Sequence, residues 1–463
     1  MHLSIKFLIV CTFFLVHPFQ YYSFSQPLNH QPKETLLSDI PFSKMIGNTF
    51  SFSSDMSKIA FCIKNGTKQQ TVINNVSGKI YDSVCMPVFS KDSKRFAYAS
   101  CDNNNWLITI DGKTDLLIEP GYKVQSILFS PDSKSFVYII HNNDQYFLIQ
   151  NGIKTKPYQF IDENSVRFST DSKKTAFTAR DQDKYCIVFN GTATNFYEQV
   201  GYPIISKNGN RLVFWMVENG KKYVVADGKK SNPYDEIDNL QISPDDRHIA
   251  FNATIAGMHT IVYDGTESEL YSAAHTLSFN KDCSIFTYGI ETTQPDKEGF
   301  RQYVVINGKK IGAYETVVEE SFRFSADGKN LAYEVEIHDE FFIVNNGAEG
   351  PRNGDVMQAT TVFSPDNKRL AYVADNNSMR KVYEAGNESS LYNDIYFIAF
   401  SPDSKHIAYS VKLNGREFVV TDGLSGNKYD EIMGFGQVIF DTSDSLHYMA
   451  LKDEKVYLVE QKL

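Results

Sequence analysis

A ten-residue phrase returns again and again along this chain. It reads FSPDSKHIAY from Phe400, FSPDSKSFVY from Phe129, FSPDNKRLAY from Phe363, FSADGKNLAY from Phe324, FSKDSKRFAY from Phe89 and FSTDSKKTAF from Phe168. A phrase repeated at a fixed spacing marks a supersecondary unit that cannot bury its apolar faces alone and must stack on copies of itself. Taking the first residue of the phrase as a mark, weaker copies start at Phe52, Ile205, Ile242, Phe279 and Phe440, giving eleven units whose marks lie 37 to 45 residues apart. Repetition therefore overrides the domain count that 463 residues would otherwise suggest.

Offsets within the unit define a four-stranded meander. Ser-Pro-Asp-Ser favours a tight turn, with proline's φ preset and an aspartate able to bond nearby backbone N–H groups, so strand A hands over to strand B at the phrase. An aromatic follows nine places after the mark in all but the last unit, from Phe61 to Tyr409, and Met449 takes its place there. In His406-Ile407-Ala408-Tyr409 both faces of strand B are apolar, so both are covered. An Asx-Gly pair at offset 22, as at Asp111-Gly112, Asp227-Gly228 and Asp422-Gly423, supplies the positive φ values of a hairpin from strand C into strand D. Tyr234-Asp235-Glu236-Ile237 and Tyr429-Asp430-Glu431-Ile432 read as the fourth strand, with acidic residues that guard an outer edge.

Four short strands every ~40 residues, apolar on both faces, predict an all-β protein: a β-propeller built from eleven four-stranded blade repeats. The element F-S-P-D-[SG]-[KR]-x-[ILF]-A-[YF] resembles the WD40-like (PD40) repeat of TolB-type propellers, a bacterial periplasmic class, over Phe52 to about Val459. The chain departs from that pattern in having no α/β domain ahead of the blades and in its regular Asx-Gly and Tyr-Asp tail. Propellers usually have 4 to 8 blades, so eleven units predict two rings in tandem, with one large ring as the alternative. The division is placed near Lys229 to Asn232: a leader over 1–25, a first propeller of five blades over 26–231, and a second of six over 232–463. The last unit ends before its strand D, and ETLLSDIP, Glu34 to Pro41, reads as the strand that replaces it.

Lys6, the short apolar run Phe7 to Val16 and the Ser23-Phe24-Ser25 site read as a cleaved export signal, with the mature chain starting at Gln26 and residing in the periplasm or outside the cell. The run is too short to span a bilayer as a helix, so stable membrane insertion is not expected after cleavage. A formal charge of -10 argues against nucleic acid as a partner. The remaining cysteines (Cys62, Cys85, Cys101, Cys186, Cys283) form no C-x-x-C pair; Cys62 and Cys101 occupy similar places in adjacent units, and a bridge between them is a minor expectation.

No G-x-S-x-G, H-E-x-x-H, P-loop or EF-hand pattern occurs, and no cofactor is implied. The function expected is a non-catalytic scaffold binding a protein, peptide or glycan; the competing reading is a hydrolase- or lyase-type enzyme with a metal or acidic site in the ring channel. Three departures from the repeat nominate the binding surface. Unit seven carries six extra residues within Glu291 to Phe300, including Gln294, Asp296 and Lys297. Arg167 and Arg323 replace the usual small or apolar residue before the mark, and Phe397 and Phe435 fall in the expected D to A connections. These belong to the face of the B to C loops, where no tight turn rule constrains variation.

Overall fold

The computed structural model describes residues 26–27, 31–47, 49–85, 87–352, 356–357, 360–376 and 378–463. The expected export signal and its cut site lie outside them. Eleven sheets follow one another along the chain, antiparallel except where Gln26–Pro27 pairs parallel with Leu424–Ser425 at the edge of the tenth. Blade 6 is representative: strand A (Glu236–Ile242), B (Ile249–Ile255), C (Met258–Tyr263) and a short D (Thr266–Glu267). The mark ends strand A in blades 1 to 10, and the residue nine places on, aromatic in those blades and Met449 in blade 11, is buried in every blade except the third, where Tyr138 is half-buried. Asx-Gly turns take left-handed geometry as expected, for example Asp111 (φ 51) with Gly112 (φ 80).

Each recurring polar residue has a specific bonding duty, and much of that duty crosses between blades. In the phrase, the first serine donates to the aspartate (Ser401 Oγ to Asp403 Oδ1, 2.7 Å) and accepts from the start of strand B (His406 N, 3.0 Å). The second serine, held at positive φ, accepts the aspartate N–H of the preceding blade: Asp92 N to Ser133 Oγ (3.0 Å), Asp132 N to Ser172 Oγ (2.9 Å), Asp366 N to Ser404 Oγ (2.9 Å). Long side chains at the start of strand B reach the same way, as Arg95 does to Lys134 O (3.0 Å) and Arg211 to Arg247 O (2.8 Å). A second belt runs along the opposite face. Asp82, Asp235 and Asp430 of the Tyr-Asp tail accept backbone N–H groups from the B to C turns of the following blade, at Asn103, Ala256 and Asp453.

That belt corrects the reading of the tail as a fourth strand. Tyr234 makes an isolated bridge to Lys222 and buries its ring, whereas Glu236 and Ile237 already belong to strand A of the next blade. Strand D in that unit is only the pair Lys229–Lys230 directly after the Asx-Gly turn. The acidic residue therefore caps a neighbour's turn instead of guarding an edge.

The two expected rings are one. Among the described residues apolar clusters join neighbouring blades at ten of the eleven junctions, and blade 1 is tied to blade 2 by Asp55 N–H donating to Ser93 Oγ (2.9 Å). The segment 229–232 is no exception: Val213 and Val224 of blade 5 pack with Ile237, Phe251 and Ala253 of blade 6. Blade 11 packs on blade 1 through Met449, Val456 and Met433 against Ile59, Phe61 and Val72. His447 Nε2 donates to Asp55 O at 2.6 Å there, standing in for the arginines at other junctions. The expected replacement strand is present. Lys33–Ser38 runs antiparallel to Lys455–Lys462 as strand D of blade 11, so one sheet holds both ends of the repeat region. The closing junction thus uses contacts of the same kinds as the others, apolar packing and a side chain reaching a backbone carbonyl across the seam.

Strands A of successive blades touch one another, as Ser51–Phe52 does Val88–Phe89 and Glu236–Ile242 does Ala273–Phe279, while strands D such as Lys229–Lys230 are exposed; A is therefore innermost. Facing sheets stack roughly 10 Å apart and neighbouring strands about 4.8 Å apart, so eleven blades leave the inner strands roughly 10 Å from the axis. Cys62 and Cys101 are free thiols. Among the described residues no helix is long and apolar enough to cross a membrane.

Candidate functional site

The axial wall is less regular than the blades. In blades 2, 4, 5, 8 and 11 strand A is broken into two short pieces, with the chain between them leaving the sheet. In blades 3, 6, 7 and 10 it is continuous but carries a register shift. Since A is the inner strand, each excursion emerges on the channel wall.

Several excursions are pinned by a hydroxyl three places before the mark. Ser165 Oγ donates to Asp162 O (2.6 Å) and accepts Thr178 N–H (2.8 Å) from strand B; Ser321, Thr49 and Thr360 do the same in their blades. This signal was present in the sequence, at a constant offset, and was missed because serine and threonine are common in the surrounding turns. Arg167 and Arg323 complete two of these loops. Arg167 Nη1 donates to Asn164 O (2.6 Å) and Val166 O (3.0 Å), and Arg323 Nη1 to Glu320 O (2.7 Å) and Phe322 O (2.9 Å). Their departure from the repeat thus has a structural cause as well as a position on the wall.

The other residues singled out from the sequence are spread around the ring. Gln294 and Lys297 are exposed on the long B to C loop of blade 7, and Asp296 shapes it by accepting Glu298 N–H and Phe300 N–H, both at 2.9 Å. Phe397 lies inside strand A of blade 10 (Asp394–Phe400), half-buried against the blade 11 cluster, so it is not in a connection. Phe435 is also not between blades. It tips the excursion Met433–Gly436, between Glu431–Ile432 and Ile439–Thr442 of blade 11 strand A.

Phe435 is the most unusual residue of the wall. It is 96% exposed and left-handed (φ 59), as are Gly434 (φ 65) and Gly436 (φ 78) beside it. A bulky side chain rarely adopts this region, which costs roughly 1–2 kcal/mol. Gly436 is required by close packing: a Cβ there would sit 2.3 Å from Ser410 Oγ and 2.7 Å from Tyr396 Cβ. The excursion is thus a rigid tip presenting an aromatic ring to solvent.

Two cavities are set into the same wall. One of about 330 Å³ spans blades 2 to 4, where Cys85, Gln125, Leu128 and Glu163 face it. Burial pushes the Cys85 thiol up to about 11, which leaves it protonated and unreactive at neutral pH. The other, about 470 Å³, spans blades 4 to 6 and brings Arg167 together with Tyr202, Trp215, Asp238 and Asn239. Sequence reading did not single out the last four. Among the described residues no group of three or more histidine, cysteine or acidic side chains is placed to hold a metal ion.

No protein-family model and no curated protein matches the sequence. Similar solved structures include a eukaryotic initiation factor (12% identity, 74% of this chain and 96% of that one, TM-score 0.42). They also include the β-propeller domain of the Trilobed protease from Pyrococcus furiosus (13%, 59% and 98%, TM-score 0.29) and TolB from Acinetobacter baumannii (14%, 56% and 77%, TM-score 0.25). The sheet order itself decides the fold. This chain is an eleven-bladed β-propeller.

Proposed function

We propose that this chain is an exported, TolB-type propeller of the periplasm or cell exterior that captures a protein, peptide or glycan partner at its axial wall without catalysing a reaction. The observation that carries the reading is Phe435: a strained, left-handed aromatic, 96% exposed and locked between two tightly packed glycines. Strain of this kind persists only where surrounding structure enforces it, and it concentrates at binding and catalytic sites. An exposed, rigid aromatic is also the side chain that most often anchors an interface. Export is supported by the leader-like first 25 residues, and TolB kinship by the repeated F-S-P-D phrase.

The test compares folded variants in capture from the native envelope or secretome. Phe435→Ser is expected to abolish recovery of the partner, while Lys134→Ala with Lys405→Ala, on the opposite face, leaves it unchanged. Partner recovery by Phe435→Ser at the wild-type level would refute the assignment.

A further inference from the structure

The cavity between blades 4 and 6 is assembled from three separate departures in strand A. Blade 4 contributes Arg167 from Arg167–Phe168. Blade 5 contributes Tyr202 at the tip of the excursion between Gln199–Val200 and Ile204–Ile205, with Trp215 behind it on strand B. Blade 6 contributes Asp238 and Asn239 at its register shift, where Asn239 is left-handed (φ 51). About 470 Å³ lies within the range of small-ligand sites.

Its walls combine aromatic planes with polar groups that the protein leaves available. Tyr202 is 49% exposed, and the Arg167 guanidinium lies over its ring at 5.4 Å. Trp215 is fixed from both sides: its indole lies so close to Gly201 that a Cβ there would meet Nε1 at 2.3 Å, and Lys222, ion-paired with Glu236, sits over the ring at 4.9 Å. Arg167 spends one nitrogen on its own loop and has no carboxylate partner among the described residues. The Tyr202 hydroxyl, the Asp238 carboxylate and the Asn239 amide likewise have no hydrogen-bond partner among the described residues.

We infer that this cavity is a carbohydrate subsite, taking one or two pyranose units of an uncharged oligosaccharide. The inference rests on the binding-scaffold reading above and specifies one ligand class for it. A pyranose offers a C–H face, whose slightly positive hydrogens suit the negative face of an aromatic ring. Its hydroxyls each need both a donor and an acceptor. Arg167 supplies donors, Asp238 acceptors, and Asn239 and Tyr202 both, while the single cation and single anion cancel and so disfavour a charged ligand. An extended peptide would seek a continuous sheet edge, but strand A here is cut into two-residue pieces in blades 4 and 5.

Trp215 provides the readout, since the chain has only one other tryptophan, Trp106. The mature protein carrying Trp106→Phe is titrated with neutral tetrasaccharides of glucose, galactose, mannose and N-acetylglucosamine while Trp215 emission is followed. At least one is expected to give a saturable change, and Tyr202→Ala and Asp238→Asn each to weaken it at least about tenfold, the loss expected when a stacking or hydrogen-bonding contact to a polar ligand is removed. Arg167→Ala should act alike, but it also loosens its own loop, so the first two variants decide. Arg323→Ala, which removes the corresponding arginine of blade 8, should have no effect. The subsite is refuted if no tetrasaccharide perturbs Trp215 saturably, or if Tyr202→Ala and Asp238→Asn leave the affinity unchanged. Either result alongside Phe435-dependent capture would remove the sugar site and leave the scaffold reading standing; saturable sugar binding without such capture would do the reverse.

Discussion

Leu37→Ala probes the seam at which the ring closes. Leu37 is 5% exposed and lies in the cluster joining blade 11 to blade 1, on the strand Lys33–Ser38 that completes the last sheet. Truncating a buried leucine to alanine costs about 3 kcal/mol through lost transfer energy and the cavity left behind. Unfolding entropy near 2.1 cal/mol/K per residue, over a chain of this size, gives ~0.9 kcal/mol/K, so cooperative melting would shift Tm by only about 3 °C. Hydrogen exchange is the sharper assay. If the strand opens locally before the ring unfolds, a 3 kcal/mol loss accelerates amide exchange more than about a hundredfold. The acceleration should be confined to 33–38 and to the facing strand 455–462, because register pairs such as Glu34 with Val459 exist only there. Unchanged exchange in 455–462, or equal acceleration in blades 5 and 6, would show that this strand does not act as the clasp.

Within one phrase, Tyr409→Ala should cost about 3–5 kcal/mol, because the ring is buried between blades 9 and 10; Asp403→Ala should cost nearer ~1 kcal/mol by chemical denaturation, through its lost turn bonds, and a surface-like effect of the tyrosine change would contradict the blade register. Gly436→Ala should destabilise by about 1–2 kcal/mol from its left-handed φ alone, and more if Tyr396 cannot move; a thermal melt indistinguishable from wild type would mean the Gly-Phe-Gly tip is not rigid. Hydrogen bonds from the Ser243 and Ser401 hydroxyls, ahead of other contacts, hold the Asp245 and Asp403 carboxyls down at about 2, and Asp92, Asp132 and Asp366 are lowered by the corresponding serines. A pKa depressed on folding stabilises above the unfolded value near 4 and loses that stabilisation as pH falls toward 2, so Tm should fall across that window; a Tm that rises on acidification from pH 4 to 2 would contradict the turn bonding.

What was legible in the sequence was what turns and alternation determine locally. Ser-Pro-Asp-Ser and Asx-Gly specify backbone geometry within four residues, so the blade count, the strand order and the buried aromatic at nearly every Tyr409-like position followed from spacing. The replacement strand was legible too, since a unit lacking strand D and an unassigned strand-like segment call for each other. Ring closure was not. It depends on contacts between residues nearly the whole chain apart, such as His447 with Asp55, and on small angles summed over many alike junctions. The 470 Å³ cavity was equally hidden, because Arg167, Tyr202 and Asp238 each look like an isolated lapse in the repeat until three blades place them side by side. Phe435 stood out as an aromatic in an expected D to A connection, but its place at the tip of an excursion within strand A was not legible.

The two belts of bonds between neighbouring blades give several blades a plug on one side and a socket on the other. Ser133 receives Asp92 as Ser404 receives Asp366, and Asp82 receives Asn103 as Asp235 receives Ala256. A copied unit inserted between two others would find both mates already waiting, at the cost of only a slight opening of the angle shared by all the rest. Ring circumference in such an architecture becomes a quantity that can grow by whole-unit duplication, while the widening bore makes room for new side chains on its lining without touching the parts that hold the circle shut.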